Sequence, residues 1–240
     1  MSNFNEINYQ DCYVAFMDIL GFQDIVEKRE CDQILDVFHQ IKGSKIKKAT
    51  MNGEELDLRF DKVHFYIMSD TIIIYINSSE KNALDMIVES TSLTLSHLTK
   101  LKNPVFVRGA VIKNKLFCQN DVMFGPAITE AYRLEKEVAI YPRVIISRKI
   151  NCNESLNPII GNLLLYVDFD RYNCIENNNV KNFKNDNERL ITYIDSMLIK
   201  YDNVQRIKEK YLYLKRHYMH VNDLIEKVKP TISKDVLDEL

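Results

Sequence analysis

Two aspartates, each at the end of a β-rich run, are the residues here whose type and setting could do chemistry. Asp18 follows Cys12-Tyr-Val-Ala-Phe16, a short apolar run of strand formers. Three residues later comes Gly21, and then Ile25, Val26, Ile34, Leu35, Phe38 and Ile41 recur along one helical face. A glycine turn after a strand, feeding a helix N-terminus, presents backbone N–H groups to an anion, with a carboxylate nearby for a cation. A metal-bound nucleoside triphosphate would satisfy both, while the plain alternative is that Asp18 caps a helix. The second aspartate, Asp70, stands with Ser69 between the alternating run Leu56–Met68 and the β-rich run Thr71–Ile76. That pattern predicts a hairpin with a carboxylate at its tip. A lone hairpin aspartate is ordinarily a turn former. Here Asp18, at another strand end, gives it a partner.

Those two carboxylates need a scaffold. After the turn signal Asn52-Gly53 and the hairpin, apolar residues at helical spacing predict a helix over Ser79–Leu101, stopped by Pro104. Val105–Ile112 reads as a strand in which Gly109 allows close approach of a neighbouring backbone. Pro126 suits the first turn of a helix that carries Ile128, Ala131, Tyr132 and Leu134 to about Ala139. Pro142–Ser147 is a further strand. The order is β-α-β-β-α-β, then α-β, so the expected fold is α+β: a ferredoxin-like core with additions over residues 12–148. Residues 149–240 add a strand near Leu163–Asp168, an Asn- and Lys-rich loop through Asn187, and C-terminal helices broken near Asp202-Asn203. The basic run Arg206–Arg216 reads as a solvated helix face rather than a phosphate-binding patch. His217 and His220, three apart on it without a third ligand at metal-site spacing, read as structural.

Composition removes several classes of function. A formal charge of −2 lacks the basic excess expected of a nucleic-acid binder. No apolar run approaches the roughly 18 residues needed to cross a bilayer, and the polar, acidic start is not a secretory signal. Five cysteines without CxxC spacing fit a reduced, cytoplasmic protein without structural zinc.

The motifs resemble those of the class III nucleotidyl cyclases, over roughly residues 12–148, and within that family the bacterial pyrimidine cyclases of the Pycsar antiphage systems. Phe16-x-Asp-Ile-Leu-Gly-Phe22 is similar to the first metal-binding segment. Ser69-Asp70 is similar to the second, and Phe124-Gly125 to Ala131-Tyr-Arg133-Leu-Glu135 to the helix carrying the transition-state arginine. Glu209-Lys-Tyr-x-Tyr-Leu214 is similar to the C-terminal helix of the Pycsar group. The resemblance implies that Asp18, Asp70 and the Ile19 carbonyl bind two Mg²⁺ or Mn²⁺ ions. Backbone N–H groups of Leu20, Gly21 and Phe22 would hold phosphates, and Arg133 would stabilise the transferring phosphoryl group. Purine cyclases carry a base-reading lysine where this chain has Tyr66, and their second base-reading residue, usually Asp, falls near Val122, beside Asp121. A pyrimidine substrate, UTP or CTP, is therefore expected, the larger aromatic favouring a smaller base. Thr129 replaces the family's asparagine on the catalytic helix. The resemblance further implies a homodimer with active sites at the interface, and a separate effector protein responding to the cyclic nucleotide. The competing expectation is a non-catalytic, cyclase-like nucleotide sensor. A diguanylate-cyclase relationship is disfavoured, because no GGDEF-type motif is present.

Overall fold

Alternating side chains divide the first strand, β1 (Gln10–Ile19), between two cores. Ala15, Met17 and Ile19 are buried on one face, and Cys12, Val14 and Phe16 on the other. A computed structural model of the chain describes residues 8–43, 49–51, 54–56, 60–150, 159–161, 164–166 and 180–228. After β1 come α1 (Phe22–Lys28), α2 (Cys31–Gly43), β2 (Ala49–Met51), β3 (Glu54–Leu56) and a 3-10 turn (Phe60–Lys62). The middle of the chain is β4 (His64–Met68), β5 (Thr71–Asn77), α3 (Ala83–Lys100), β6 (Val107–Gln119), β7 (Val122–Phe124), α4 (Pro126–Glu137) and β8 (Val144–Ile146). The last elements are β9 (Ile159–Gly161), β10 (Leu164–Tyr166), α5 (Val180–Lys200) and α6 (Gln205–Val228).

The main sheet has the order β4-β5-β1-β6-β8-β10-β9, with β7 paired on β6. Its first four strands are mutually antiparallel, and helices follow β1 and β5. That is the ferredoxin-like βαββαβ arrangement, and the fold is α+β as expected. β8 runs parallel to β6, so the whole sheet is mixed. One face buries Val37 and Ile41 of α2 with Met86, Ile87, Leu95 and Leu98 of α3. On the other face α4 lies on Phe16, Ile73 and Ala110, and its contact residues Ala127 and Ala131 are small enough for close approach. A third cluster joins α5 and α6 to Phe106 through Leu190, Ile194, Leu214 and Tyr218.

Most elements fall where periodicity puts them, and the exceptions have local causes. The single helix expected after Gly21 is two, because Arg29 is extended (φ −115°, ψ 149°) and ends α1. The long strand expected from Leu56 to Met68 is interrupted by the 3-10 turn, and among the described residues only His64–Met68 pairs with β5. The turn expected at Asn52-Gly53 lies outside the described residues. Strand β6 runs on to Gln119 and turns through Asn120 and Asp121, both at positive φ (50° and 64°), into the unanticipated β7. That two-residue turn matches the twist of a hairpin. β9 was likewise not anticipated. Helix α5 starts at Val180, inside the stretch expected to be loop. Buried Asn187, a loop former in isolation, donates its amide to Asn222 of α6 at 3.1 Å. Gly109 is needed for space: a Cβ there would lie 2.2 Å from the Phe16 carbonyl oxygen.

Candidate active site

Register alone brings four residues into one row across the sheet: Met68, Thr71, Asp18 and Arg108. All lie on the face that packs against α4, since their strand neighbours two residues on (Tyr66, Ile73, Phe16 and Ala110) belong to that core. Asp70 sits in the adjoining two-residue turn, where Ser69 takes a left-handed φ of 57°. The two aspartate-bearing segments are stitched together directly, with Ile19 N–H donating to the Asp70 carbonyl at 2.8 Å. Around them opens a cleft of about 330 Å³ lined by Asp18, Asp70, Thr71 and Arg108, by Phe16, and by Tyr132, Glu135 and Lys136 of α4, with Arg206 of α6 at its rim.

Arg108 organises the floor. Its Nε donates to Asp18 Oδ2 at 3.3 Å, and its Nη2 lies 2.7 Å from Oε1 of Glu135. The second contact is an ion pair by distance, without the alignment of a hydrogen bond. Glu135 is almost fully buried, with 4% of its side chain exposed, so Arg108 is the counter-charge that makes its burial tolerable. Burial pushes the Asp18 carboxyl above its ordinary range, Arg108 opposes that shift, and the charge of Asp70 adds to it. Burial likewise raises Glu135, with Arg108 again opposing. Lys210 of α6, half-buried, is lowered by burial and then by the nearby charges of Arg108 and Arg206.

The residues singled out from the sequence fall into three groups. Asp18 and Asp70 share the cleft. Ile19 buries its side chain in the opposite core, so only its backbone can face the carboxylates. In the turn that follows, Leu20 N–H is already committed to the Phe106 carbonyl at 2.9 Å, which removes it as a phosphate donor. Gly21 (φ 69°) and Phe22 have no backbone acceptor among the described residues. Tyr66 lies on the same sheet face as Asp18, two strands across and two residues along, about 12 Å away by ordinary sheet spacings. It is packed partly against the core beside α4. Arg133 and Thr129 do not line this cleft. They are exposed on the side of α4 opposite Ala127 and Ala131, and Thr129 Oγ1 donates to the Gly125 carbonyl at 3.4 Å. Asp121 and Val122 stand at the exposed β6–β7 turn.

Among the described residues no cluster of three or more His, Cys, Asp or Glu side chains is poised for a metal. The two aspartates nevertheless fit hard divalent cations. They are adjacent carboxylates that repel one another, one of them partly desolvated, in a cleft open to further oxygen ligands. Mg²⁺ or Mn²⁺ would complete its shell there with water or phosphate oxygens.

Sequence reasoning missed Arg108, Glu135, Lys136 and the contribution of α6. Arg108 left a usable signal: it is the one charge in the apolar run Val105–Ile112, and a charge in a buried strand needs a partner. Arg206 showed in the sequence only as the start of a basic run read as a solvated face, because it reaches the cleft through the packing of α5 and α6 on Phe106.

No protein-family model matches the sequence, and neither does any curated protein. Solved structures do match, 41 chains in all. One is the crystal structure of the catalytic core of a rhodopsin-guanylyl cyclase with converted specificity in complex with ATPαS. It is 15% identical at a TM-score of 0.44, over 58% of this chain and 77% of that one. A likeness of that degree says nothing of what this chain binds.

Proposed function

We propose that this chain is a class III nucleotidyl cyclase that converts a pyrimidine nucleoside triphosphate, UTP before CTP, to its 3′,5′-cyclic monophosphate. The observation that carries the reading is that Asp18, at the end of β1, and Asp70, in the β4–β5 turn, meet in one cleft that Arg108, Lys136 and Arg206 also line. In the reaction the ribose 3′-oxygen forms a bond to the α-phosphorus. The bond from that phosphorus to the bridging oxygen breaks, pyrophosphate leaves with the electron pair, and the hydroxyl proton passes to water. Asp18 and Asp70 would hold Mg²⁺ or Mn²⁺, which supplies Lewis-acid stabilisation of the phosphoryl oxygens. Arg108 keeps Asp18 aimed into the cleft. Gly21 and Phe22 offer the N–H groups that can meet phosphate oxygens.

The chemistry that separates pyrimidine from purine falls to Tyr66, which shares the sheet face of the carboxylates at a separation suited to a base whose phosphates lie at Asp18. Arg133, facing solvent, is suited to reach the cleft of a second copy, which makes the functional unit a homodimer. Arginines in that role contribute roughly 10³–10⁵ in rate. Through the resemblance to the Pycsar group, the product is read as a messenger for a separate effector in antiphage defence. The test is to give purified protein each of the four nucleoside triphosphates with Mn²⁺ and identify products by mass. A cyclic pyrimidine nucleotide is expected. Cyclic AMP or cyclic GMP as the main product would overturn the base assignment. No cyclic product from any of the four would leave a nucleotide sensor instead.

A further inference from the structure

We propose that the C-terminal helices complete the polyphosphate end of this cleft: Arg206 and Lys210 of α6 hold the terminal phosphates of the bound nucleotide, with Arg108 behind them. The inference rests on the nucleotide reading above and adds to it a binding group from outside the βαββαβ core.

The basic run of α6 divides by partner. Lys208 pairs with Asp202 at 2.5 Å, Lys215 with Asp195 at 2.7 Å, and Arg216 donates back to the Leu212 carbonyl at 3.2 Å. Those three are the solvated, self-satisfied face that the sequence led us to expect. Arg206 and Lys210 have no hydrogen-bond or ion-pair partner among the described residues. They lie one helical turn apart on a common face. Arg206 lines the cleft beside Asp18, Asp70 and Arg108. Lys210 is half-buried and feels the charges of Asp18, Glu135, Arg108 and Arg206. Arg206 on the cleft wall and Lys210 one turn along the helix, both unpaired and close to the already engaged Arg108, repel one another and are stabilised by a polyanion.

Their position is fixed by the fold. Leu20, directly after the Asp18 segment, packs into the cluster of Phe106, Leu190, Ile194, Leu214 and Tyr218. The Tyr201 hydroxyl donates to Asp24 of α1, and Arg189 of α5 donates to the carbonyls of Leu101 and Thr99 at 3.0 and 2.8 Å. The helices are thus clamped to the turn that follows Asp18, to α1 and to the end of α3, and little ordering remains to be done when a ligand arrives.

The experiment is calorimetric titration of the full chain with inorganic tripolyphosphate in chelator-treated buffer, so that neither metal nor base contributes. Arg206→Ala and Lys210→Ala should each weaken binding about tenfold, and the pair about a hundredfold, as expected for lost charge-assisted contacts. Arg216→Ala, an equal change of charge about 15 Å further along the helix, should leave it unchanged. Arg206 is exposed, so its variant stays informative even if Lys210→Ala fails to fold. Wild-type affinity in folded Arg206→Ala, an equal loss in Arg216→Ala, or no binding by the unaltered chain would each overturn the proposal. The two readings fail separately. Binding that depends on Arg206 stands even if no triphosphate is cyclised. An unchanged KM in an active Arg206→Ala enzyme sinks this inference and leaves the cyclase reading intact.

Discussion

Asp18 is a carboxylate that the fold holds partly out of water, and the sign of that effect sets a pH test. Its pKa is raised by burial and by Asp70, so the folded chain binds this proton more tightly than the unfolded chain. Stability from this group therefore falls as pH rises out of the ordinary carboxylate range through the raised value. A divalent cation at Asp18 and Asp70 removes the penalty. Millimolar Mn²⁺ should raise Tm at neutral pH and have much less effect at a pH where both carboxyls are protonated, as followed by thermal unfolding. A shift that persists in the Asp18→Ala, Asp70→Ala double variant would remove these residues as ligands. On the same assignment, Asp70→Ala should abolish cyclisation while changing stability by no more than about 0.5 kcal/mol, because the side chain sits at a part-exposed turn. Full turnover by the folded variant contradicts the two-carboxylate site.

At the scale of elements, the geometry of the cleft depends on how closely β6 lies against β1. Gly109 pairs with Met17, so Arg108 falls opposite Asp18. A methyl at position 109 would meet the Phe16 carbonyl oxygen at 2.2 Å and the Met17 Cα at 2.9 Å, both backbone atoms that cannot swing aside. Gly109→Ala should destabilise the chain by about 3 kcal/mol, seen as a lower urea midpoint. Any folded fraction should show reduced activity, since the strands that carry Asp18 and Arg108 must separate to admit the methyl. An unchanged midpoint would mean that the strands are not packed at this distance. Helix α4 adds a second dependency. Ala127 and Ala131 set its distance from the sheet, and Glu135 reaches Arg108 from it, so α4 both covers the core and closes the cleft.

For the whole molecule, the telling fact is that α4 divides its polar side chains between two directions. Tyr132, Glu135 and Lys136 line the chain's own cleft, while Arg133 and Thr129 face solvent. If Arg133 serves a neighbouring copy, Asp70→Ala and Arg133→Ala chains will each be inactive alone. Mixed and allowed to exchange, they should recover about a quarter of wild-type turnover, because half of randomly paired dimers are mixed and each holds one intact site. Absence of recovery in a dimer shown to be mixed rules out the shared site. Among the described residues no helix is long and apolar enough to span a membrane.

The sequence by itself determined what local physics controls. The β-rich run Thr71–Ile76, helical spacing in Leu84–Leu98, Pro126 at a helix start and the Ser69-Asp70 turn were legible because each depends on a few neighbouring residues. Together they set the βαββαβ order. It did not reveal the break at Arg29, the helix hidden in the Asn-rich stretch before Asn187, or the strand β9, where tertiary partners override weak local preferences. For the site, the aspartates were legible as carboxylates at strand ends, but their nearness was an inference that only the β1–β5 register and the Ile19–Asp70 bond could supply. The meeting of Arg108, Glu135, Arg206 and Lys210 belongs wholly to the tertiary structure. They are separated by up to 102 positions (108 to 210), and nothing in the composition of either segment marks them as neighbours. Packing of α4 on the sheet brings Glu135 to Arg108, and packing of Phe106 against α5 and α6 brings Arg206 and Lys210, in contacts between surfaces that exist only once both have folded.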